Sequence, residues 1–434
     1  MKIVFFASEY SPYNMTGSFR SMKFAKHLRQ LGIEVYIITL TKDAADIYLG
    51  EKRIDASLAD KEEDPFIFRI LTKKAFSDYF GLFPSLKNNK LFFEDLKQTI
   101  SKISPQAILA TYPHSSAIKI ASRIGKELNL PIVIDMRDPW SHWPVRPYKN
   151  FLYYYFTKRA ERKIFQQAAK VLVVTPQMVD IFRNTHGEWI KNKTKVIFNT
   201  FDMDKPIANV IRSLSFREKS TIKIGYVGSF YFDPEVRNDM FSKWYKRRGA
   251  KKLSYYSAKE DWKYRSPYYF LKTIKSIIDA NPEFRDKLII EFVGEPQYWL
   301  KPMIEGFGLG HNCLLTGFLR KDELCKKYAE FDFVLSTSEK VFNGEHYCLP
   351  SKLFDYVRIG KPVLAFLTNG IQKTFIEQSN IGFVFDPDDM EGAAKKLADL
   401  LSGSRELLVN HGYLDGFTSK ASALKLKDVL IDAQ

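Results

Sequence analysis

The sequence predicts an α/β chain of two parallel-sheet domains, and three observations carry that expectation. Its 434 residues suit two domains of ordinary size, each long enough to bury its own core. It opens as a strand–helix–strand unit, and at Ile222 it starts afresh with a strand that runs into a glycine loop. Between Gly344 and Phe366 a helix start is followed at once by a buried strand, and the other elements are read around that stretch.

In chain order, Lys2 to Ala7 is a short buried strand, followed by a loop that contains Gly17. Phe24, Leu28 and Leu31 recur at i, i+4 and i+7, which predicts a helix ended by Gly32, and Val35 to Leu40 is the next strand. Ala107 to Ala110 is a strand running into Thr111-Tyr-Pro-His114-Ser-Ser. After a helix to about Leu128, the strand Ile132 to Asp135 ends in Met136-Arg137-Asp138-Pro139-Trp140. Both loops leave the carboxyl ends of strands, where open α/β sheets place their ligands. His114 and Asp138 are therefore site candidates. The plain alternatives are a loop-end histidine bonded to backbone, and an Asp-Pro turn or an Arg137 ion pair. Phe151 to Ala169 mixes Leu152, Tyr153, Tyr154, Tyr155 and Phe156 with Lys158, Arg159, Arg162 and Lys163. Two readings stay open: a helix lying on a membrane surface, or an amphipathic helix packing on the sheet.

The interdomain boundary is expected between Asp202 and Ser220. The second domain opens with Ile222-Lys-Ile-Gly-Tyr-Val-Gly228-Ser229. An insert, Tyr231 to Tyr264, interleaves Lys243, Lys246, Arg247, Arg248, Lys251 and Lys252 with Trp244, Tyr245, Tyr255, Tyr256 and Trp262, ahead of Arg265-Ser-Pro and a helix Tyr268 to Ala280. It is open as a base-stacking surface, an anionic-lipid anchor, a lid or a solvated insertion. Strands follow at Ile289 to Gly294 and Phe331 to Leu335, with a helix Asp322 to Ala329 between them. Pro350 suits the first turn of the next helix. Ser351, Lys352 and Asp355 share one face near its start, while Leu353, Tyr356 and Val357 fall on a face that can be buried. Gly360 and Pro362 stop this helix, and Val363 to Phe366 is a buried strand. Free N–H groups and dipole at the helix start suit a phosphate, with Lys352 adding a charge and Ser351 a hydroxyl. One turn on, Asp355 could accept from a ribose diol. Domains are expected at 1–205 and 221–410, with a last helix, marked by Ala423, Leu426, Leu430 and Ala433, in 411–434.

The net charge of +16 implies an anionic partner: a nucleotide diphosphate, an anionic leaflet or nucleic acid. Three cysteines in neither even number nor metal spacing point to a reducing compartment. No apolar run is long enough for a signal peptide or a membrane span, so a cytoplasmic protein is expected. Asp386-x-Asp388 and Asp202-x-Asp204 fit a metal-holding D-x-D pattern, but turn and cap chemistry already explains them, and no metal is expected.

Pro-Ser-Lys-Leu-Phe-Asp-Tyr followed by Gly-Lys-Pro-Val-Leu-Ala resembles the donor-binding signature of the family 4 glycosyltransferases. These are retaining enzymes of GT-B architecture, with two Rossmann-like domains whose parallel sheets face across a cleft. Pro-Ile-Val-Ile-Asp-Met-Arg-Asp-Pro-Trp after Pro-His-Ser-Ser resembles acceptor-domain segments of bacterial polysaccharide-building members. Members commonly carry Glu at the position of Asp355, paired with an acid eight residues earlier; here that place holds Tyr347, with Glu345 nearby. The resemblance implies a hexosyl transfer from a nucleotide-sugar, UDP- or GDP-linked, with no cofactor. It implies Gly17, Gly228, Ser229, Arg265, Ser351, Lys352, Leu353 and Asp355 on the donor side, and His114 and Asp138 toward the acceptor. Partners would be the nucleotide-sugar and a glycan or polyprenyl-linked acceptor. The inner membrane leaflet is a further candidate, and nucleic acid is not expected. A sugar-nucleotide epimerase of the same fold, and a nucleic-acid-binding protein on a degenerate transferase fold, are the alternatives.

Overall fold

The structure is a computed structural model that describes residues 1–13, 15–47, 54, 64–72, 90–142, 147–202, 211–216 and 219–434. The chain forms two compact units, the first from Met1–Trp143, Pro147–Asp202 and Gly416–Gln434, the second chiefly from Met203–Asp415. In the first unit a seven-stranded sheet has the order β3-β2-β1-β4-β5-β6-β7. Its strands are β1 (Lys2–Phe6), β2 (Glu34–Leu40), β3 (Ile67–Leu71), β4 (Ala107–Tyr112), β5 (Ile132–Met136), β6 (Lys170–Val173) and β7 (Thr194–Val196). All its ladders are parallel, and β1 is held on both sides, Ile3 facing Val35 of β2 and Ala107 of β4. The near-continuous apolar runs of β1, β4 and β5 follow from this: strands covered by helices on both faces have no polar face to show. Helix α1 (Thr16–Gln30) buries Phe24 and Leu28 against β1, as its i, i+4 spacing predicts.

The final helix completes that layer. Thr418 caps it, accepting from the Ala421 amide, and Leu426 and Leu430 enter the same cluster as Phe24 and Leu28. Helices α2 (Lys90–Ile103) and α3 (Ser115–Glu127) complete the β-α-β alternation around β4, and α2 with β3 falls in a stretch where the sequence pattern had suggested nothing. Next, α4 (Phe151–Gln167) buries Ile164 and Phe165 but leaves its first two turns largely exposed.

In the second unit a six-stranded parallel sheet runs β12-β11-β9-β13-β15-β16. Here β9 is Ile222–Val227, β11 Leu288–Val293, β12 Cys313–Gly317, β13 Phe333–Thr337, β15 Val363–Phe366 and β16 Gly382–Phe385. Two short antiparallel pairs flank it: β10 (Glu260–Asp261) with β14 (Lys340–Val341), and β8 (Ile211–Ser215) with β17 (Ser404–Leu408). Strand β8 lies in the segment read from the sequence as linker; its backbone finds a partner 190 residues on, which no local pattern announces.

The insert is tied down from within. Asp233 caps the helix Pro234–Phe241, and Arg237 forks onto Asp261 with two 2.6 Å bonds. Arg247 donates to the carbonyls of Asp239, Ser242 and Ser254 and lies 4.9 Å from the Tyr256 ring. These cations do structural work, whereas Trp244 and Tyr245 remain exposed.

Candidate functional site

In both sheets the strand order reverses beside a central strand, and the loops leaving the carboxyl edge there are where such folds bind ligands. In the second unit these are the loop after β9, with Gly228 and Ser229, the loop after β13, with Glu339, and the start of the helix α5 (Ser351–Ile359). Pro350 is the N-cap of α5 rather than its first residue, and no side chain caps the helix. Gly360 closes it in the left-handed region at φ 63°.

Lys352 reaches back under the β9 loop. Its Nζ is 3.1 Å from Tyr226 Oη and 4.5 Å from the centre of that ring. A side chain on Gly228 would put its Cβ 2.3 Å from the same ammonium, and Gly228 has φ +113°, so glycine is required there twice over. Burial, and then the Arg265 guanidinium nearby, push the Lys352 pKa down to about 7. Arg265 pairs with Glu339 through Nη1 to Oε2 at 2.9 Å and lies over the rings of Trp262 and Tyr231. Burial alone would lower the Arg265 pKa; Glu339 more than offsets it, and the guanidinium stays charged. Burial works against the Glu339 charge, but His346, 3.2 Å from its other oxygen, and Arg265 hold its carboxyl well below the usual range. Glu260 goes the other way: burial, with Glu339 close by, pushes its pKa well up. The cluster thus has two cationic side chains for one ionised acid.

The remaining donor-side candidates spread out. Ser229 follows Gly228 in its loop, and its carbonyl accepts from Tyr226 Oη at 3.3 Å. Ser351 opens α5 and is half-buried. Asp355 is half-exposed one turn along, 3.5 Å from Arg358. Leu353 has its side chain wholly buried, and its N–H donates to Pro350 O.

In the first unit the sequence candidates gather around a residue the sequence reading passed over. Glu9, buried in the loop after β1, accepts from Arg137 Nη2 at 2.7 Å and stands 3.4 Å from His114 Nε2. Gly17 makes room for it, since a Cβ there would meet the Glu9 carboxylate and the Arg137 guanidinium within 2 Å. Arg137 Nε donates to the Tyr112 carbonyl at 2.7 Å. Burial opposes the Glu9 charge, but Arg137 and His114 bring its pKa down to about 2. Arg137 thus donates to both Glu9 and Tyr112, and Asp138 sits half-buried on the same loop. Glu339, His346 and Tyr226 were also missed. One signal was available for the two acids: each follows close on the end of a buried strand, Glu9 after Phe6 and Glu339 after Thr337.

Another buried pair belongs to the fold rather than the site. Arg20 forks onto Asp135 at 3.0 and 2.8 Å and donates to the carbonyls of Ile197 and Phe198, so four of its five N–H groups are engaged within the fold. The D-x-D acids are similarly engaged. Asp202 pairs with His27 and Lys23, and Asp388 with Lys340 and the Tyr264 hydroxyl, while Asp386 closes a turn onto the Asp388 amide. Asp204 lies outside the described residues. Among the described residues no group of three or more His, Cys, Asp or Glu is placed to hold a metal ion.

Residues 21–205 match the family model described as Glycosyltransferase Family 4, and residues 267–413 match that of Glycosyl transferases group 1. The chain belongs to the family 4 glycosyltransferases. A 133-residue segment is 32% identical to a sulfoquinovosyl transferase of Arabidopsis thaliana, which is 30% of this chain and 24% of that protein. The match therefore spans about a quarter of the relative's length. Among solved structures, Anabaena HepE in complex with UDP and glucose has a TM-score of 0.56 at 16% identity over 99% of both chains. The lipopolysaccharide outer core galactosyltransferase WaaB has a TM-score of 0.58 at 12% identity over 100% of both. At such identities the likeness is one of fold, the two-domain GT-B arrangement of this glycosyltransferase family.

Proposed function

We propose that the protein is a retaining glycosyltransferase that moves a hexosyl group from a UDP- or GDP-sugar to a glycan or polyprenyl-linked acceptor in cell-surface polysaccharide synthesis. It works in the cytoplasm at the inner membrane leaflet, without metal or organic cofactor. The observation that carries the reading is the pairing of Lys352 with Arg265 beside the Gly228 loop and the start of α5. One ionised acid, Glu339, answers two basic side chains there, and burial, then the nearby Arg265 charge, push Lys352 down to a pKa of about 7. A diphosphate supplies the missing charge. Further support comes from family membership and from the UDP complexes of the HepE fold neighbour.

In this mechanism Lys352, Arg265 and the free amides at the α5 start stabilise the charge that grows on the departing diphosphate. Gly228 and Ser229 let backbone approach the phosphates, Ser351 adds a hydroxyl, and Asp355 accepts from the ribose. His114 and Asp138 act on the sugar and the incoming acceptor hydroxyl, with Glu9 fixing the histidine ring.

Thermal unfolding against UDP-, GDP-, ADP- and dTDP-sugars, for wild type and Lys352→Ala side by side, tests the donor site. A ligand of the native state at a hundredfold excess over its Kd adds about 2.7 kcal/mol of stability. A midpoint shift with one nucleotide that the variant loses is the expected result. The absence of any shift would sink the assignment.

A further inference from the structure

Helix α4 presents a face that its own fold does not use. Asn150 caps it, accepting from the Tyr153 amide, and Thr157, Glu161, Ile164 and Phe165 turn inward. Outward lie Phe151, Leu152, Tyr155 and Phe156, with 54%, 63%, 46% and 40% of their surfaces exposed. At 3.6 residues per turn these four occupy an arc of about 140°. The exposed Arg159 and Lys163 continue that arc toward the C-terminus, and exposed Lys149 stands just before the helix. The acid of this helix, Glu161, is wholly buried, where it accepts from His186 and Ser141, so the outward arc carries no carboxylate.

Contiguous apolar surface rimmed by charge marks a docking site. Its layout selects the partner. Aromatic and leucine side chains at one end, cations flanking them and no acid among them match the boundary of an anionic bilayer, where rings enter the interface and ammonium and guanidinium groups meet lipid phosphate. The helix has 17 residues, and no helix among the described residues is long and apolar enough to cross a membrane, so it would lie along the surface. Its apolar end is also its N-terminal end. Because α4 follows β5, that end opens at the carboxyl edge of the first sheet, the edge whose loops carry Glu9, His114 and Asp138.

We propose that the outward face of α4 docks on anionic phospholipid, and that the acceptor is consequently an amphiphile whose polar head is presented at the bilayer surface to the loops of that sheet edge. The second half of this statement rests on the glycosyl-transfer reading; the docking itself does not.

The test is co-sedimentation of the full chain, without nucleotide, with vesicles of phosphatidylcholine alone and of phosphatidylcholine with one-third phosphatidylglycerol. Wild type is expected to partition onto the anionic vesicles and not the neutral ones. A Leu152→Ser/Tyr155→Ser variant and an Arg159→Glu/Lys163→Glu variant are each expected to lose at least tenfold in apparent affinity. Both should keep the wild-type unfolding midpoint and its shift with the donor nucleotide, because the substituted positions are exposed. Equal partitioning onto neutral and anionic vesicles overturns the proposal, as does undiminished binding of both variants. So does loss of binding through Trp244→Ser/Tyr245→Ser alone, which would move the contact to the insert. A concentration-dependent mass that the α4 variants abolish, with no vesicle binding, would mean that the face joins two copies of the chain. A donor site that fails in the unfolding assay leaves this measurement standing, so the two readings fail separately.

Discussion

Each unit contains the same bridge of three side chains, and the two bridges have different surroundings. In the first, Glu9 joins Arg137 at 2.7 Å to His114 at 3.4 Å; in the second, Glu339 joins Arg265 at 2.9 Å to His346 at 3.2 Å. Both acids sit just past a central strand of a parallel sheet. The first bridge keeps His114 partly open to solvent, and it is electrostatically self-sufficient. The second buries His346 completely and adds Lys352, a second cation, with no second ionised acid. The lesson is that one framework device takes two forms: it leaves a histidine partly open to solvent in one unit and gathers two basic side chains about one ionised acid in the other.

The largest effect expected from breaking this symmetry is on stability. Arg265→Ala leaves the wholly buried Glu339 without its guanidinium and beside Glu260, and removing one member of a buried ion pair costs about 3–5 kcal/mol. Arg137→Ala leaves Glu9 with His114 still at hand, and it should cost clearly less. Urea midpoints of the two variants check the ordering, and equal losses would show that the second bridge is no more strained than the first.

The histidines should separate stability from turnover. His346→Ala removes a buried partner of Glu339 and is expected to destabilise by about 1–3 kcal/mol, with activity falling only as the folded fraction falls. His114→Ala should leave the unfolding midpoint near wild type and lower kcat about 100-fold, the scale of a lost proton-handling group. Steady-state kinetics beside thermal unfolding decide this, and a His114→Ala enzyme with normal kcat would remove that residue from the acceptor-side chemistry.

How much of this was legible beforehand follows from the kind of signal each element carries. Strands β1, β4 and β5 announce themselves as apolar runs, α1 by its spacing, and α5 by Pro350, Gly360 and Pro362. Strands β8 and β17 were invisible because their pairing is a long-range backbone event. The same holds for the site. Gly17, Gly228 and Lys352 were readable, since a glycine in a strand-end loop and a lysine at a helix start have a local reason to be there. Glu9 and Glu339 were not, because what makes them matter is an arginine 128 residues away in one case and 74 residues away in the other. Leu353 lies between Lys352 and Asp355 in sequence, and the helix turns its side chain into the core.

The charge imbalance of the second bridge can be read directly as protons. Lys352, with a pKa of about 7 before ligand binds, is mostly neutral at pH 8, whereas an adjoining diphosphate favours the ammonium. Binding above pH 7 must therefore take up a proton, and affinity should fall as pH rises past 7 until the bound-state pKa is reached. Calorimetry of UDP binding at pH 8 in two buffers of different ionisation enthalpy should show uptake approaching one proton. In Lys352→Ala the uptake should vanish and affinity should drop about 10- to 100-fold, matching the ~1.5–3 kcal/mol of a charge-assisted hydrogen bond. Buffer-independent heats for wild type would mean that Lys352 does not meet the ligand.

The smallest expected effect concerns Asp355, and it sharpens the comparison from outside the bridge. Its side chain is half-exposed and 3.5 Å from Arg358 on the same helix, and an exposed pair of that kind contributes little to stability. Asp355→Asn should accordingly leave the urea midpoint unchanged. If the carboxylate accepts from a ribose diol, its loss removes one exposed contact worth about 1 kcal/mol, so affinity for UDP should weaken roughly five- to tenfold. Pyrophosphate, which has no ribose, should bind the variant as it binds wild type. The ratio of the two affinities is thus the informative quantity: a UDP-selective loss locates the ribose on the exposed side of α5, one turn beyond the lysine. A parallel loss for both ligands would mean that Asp355 acts only through the electrostatics of the helix start.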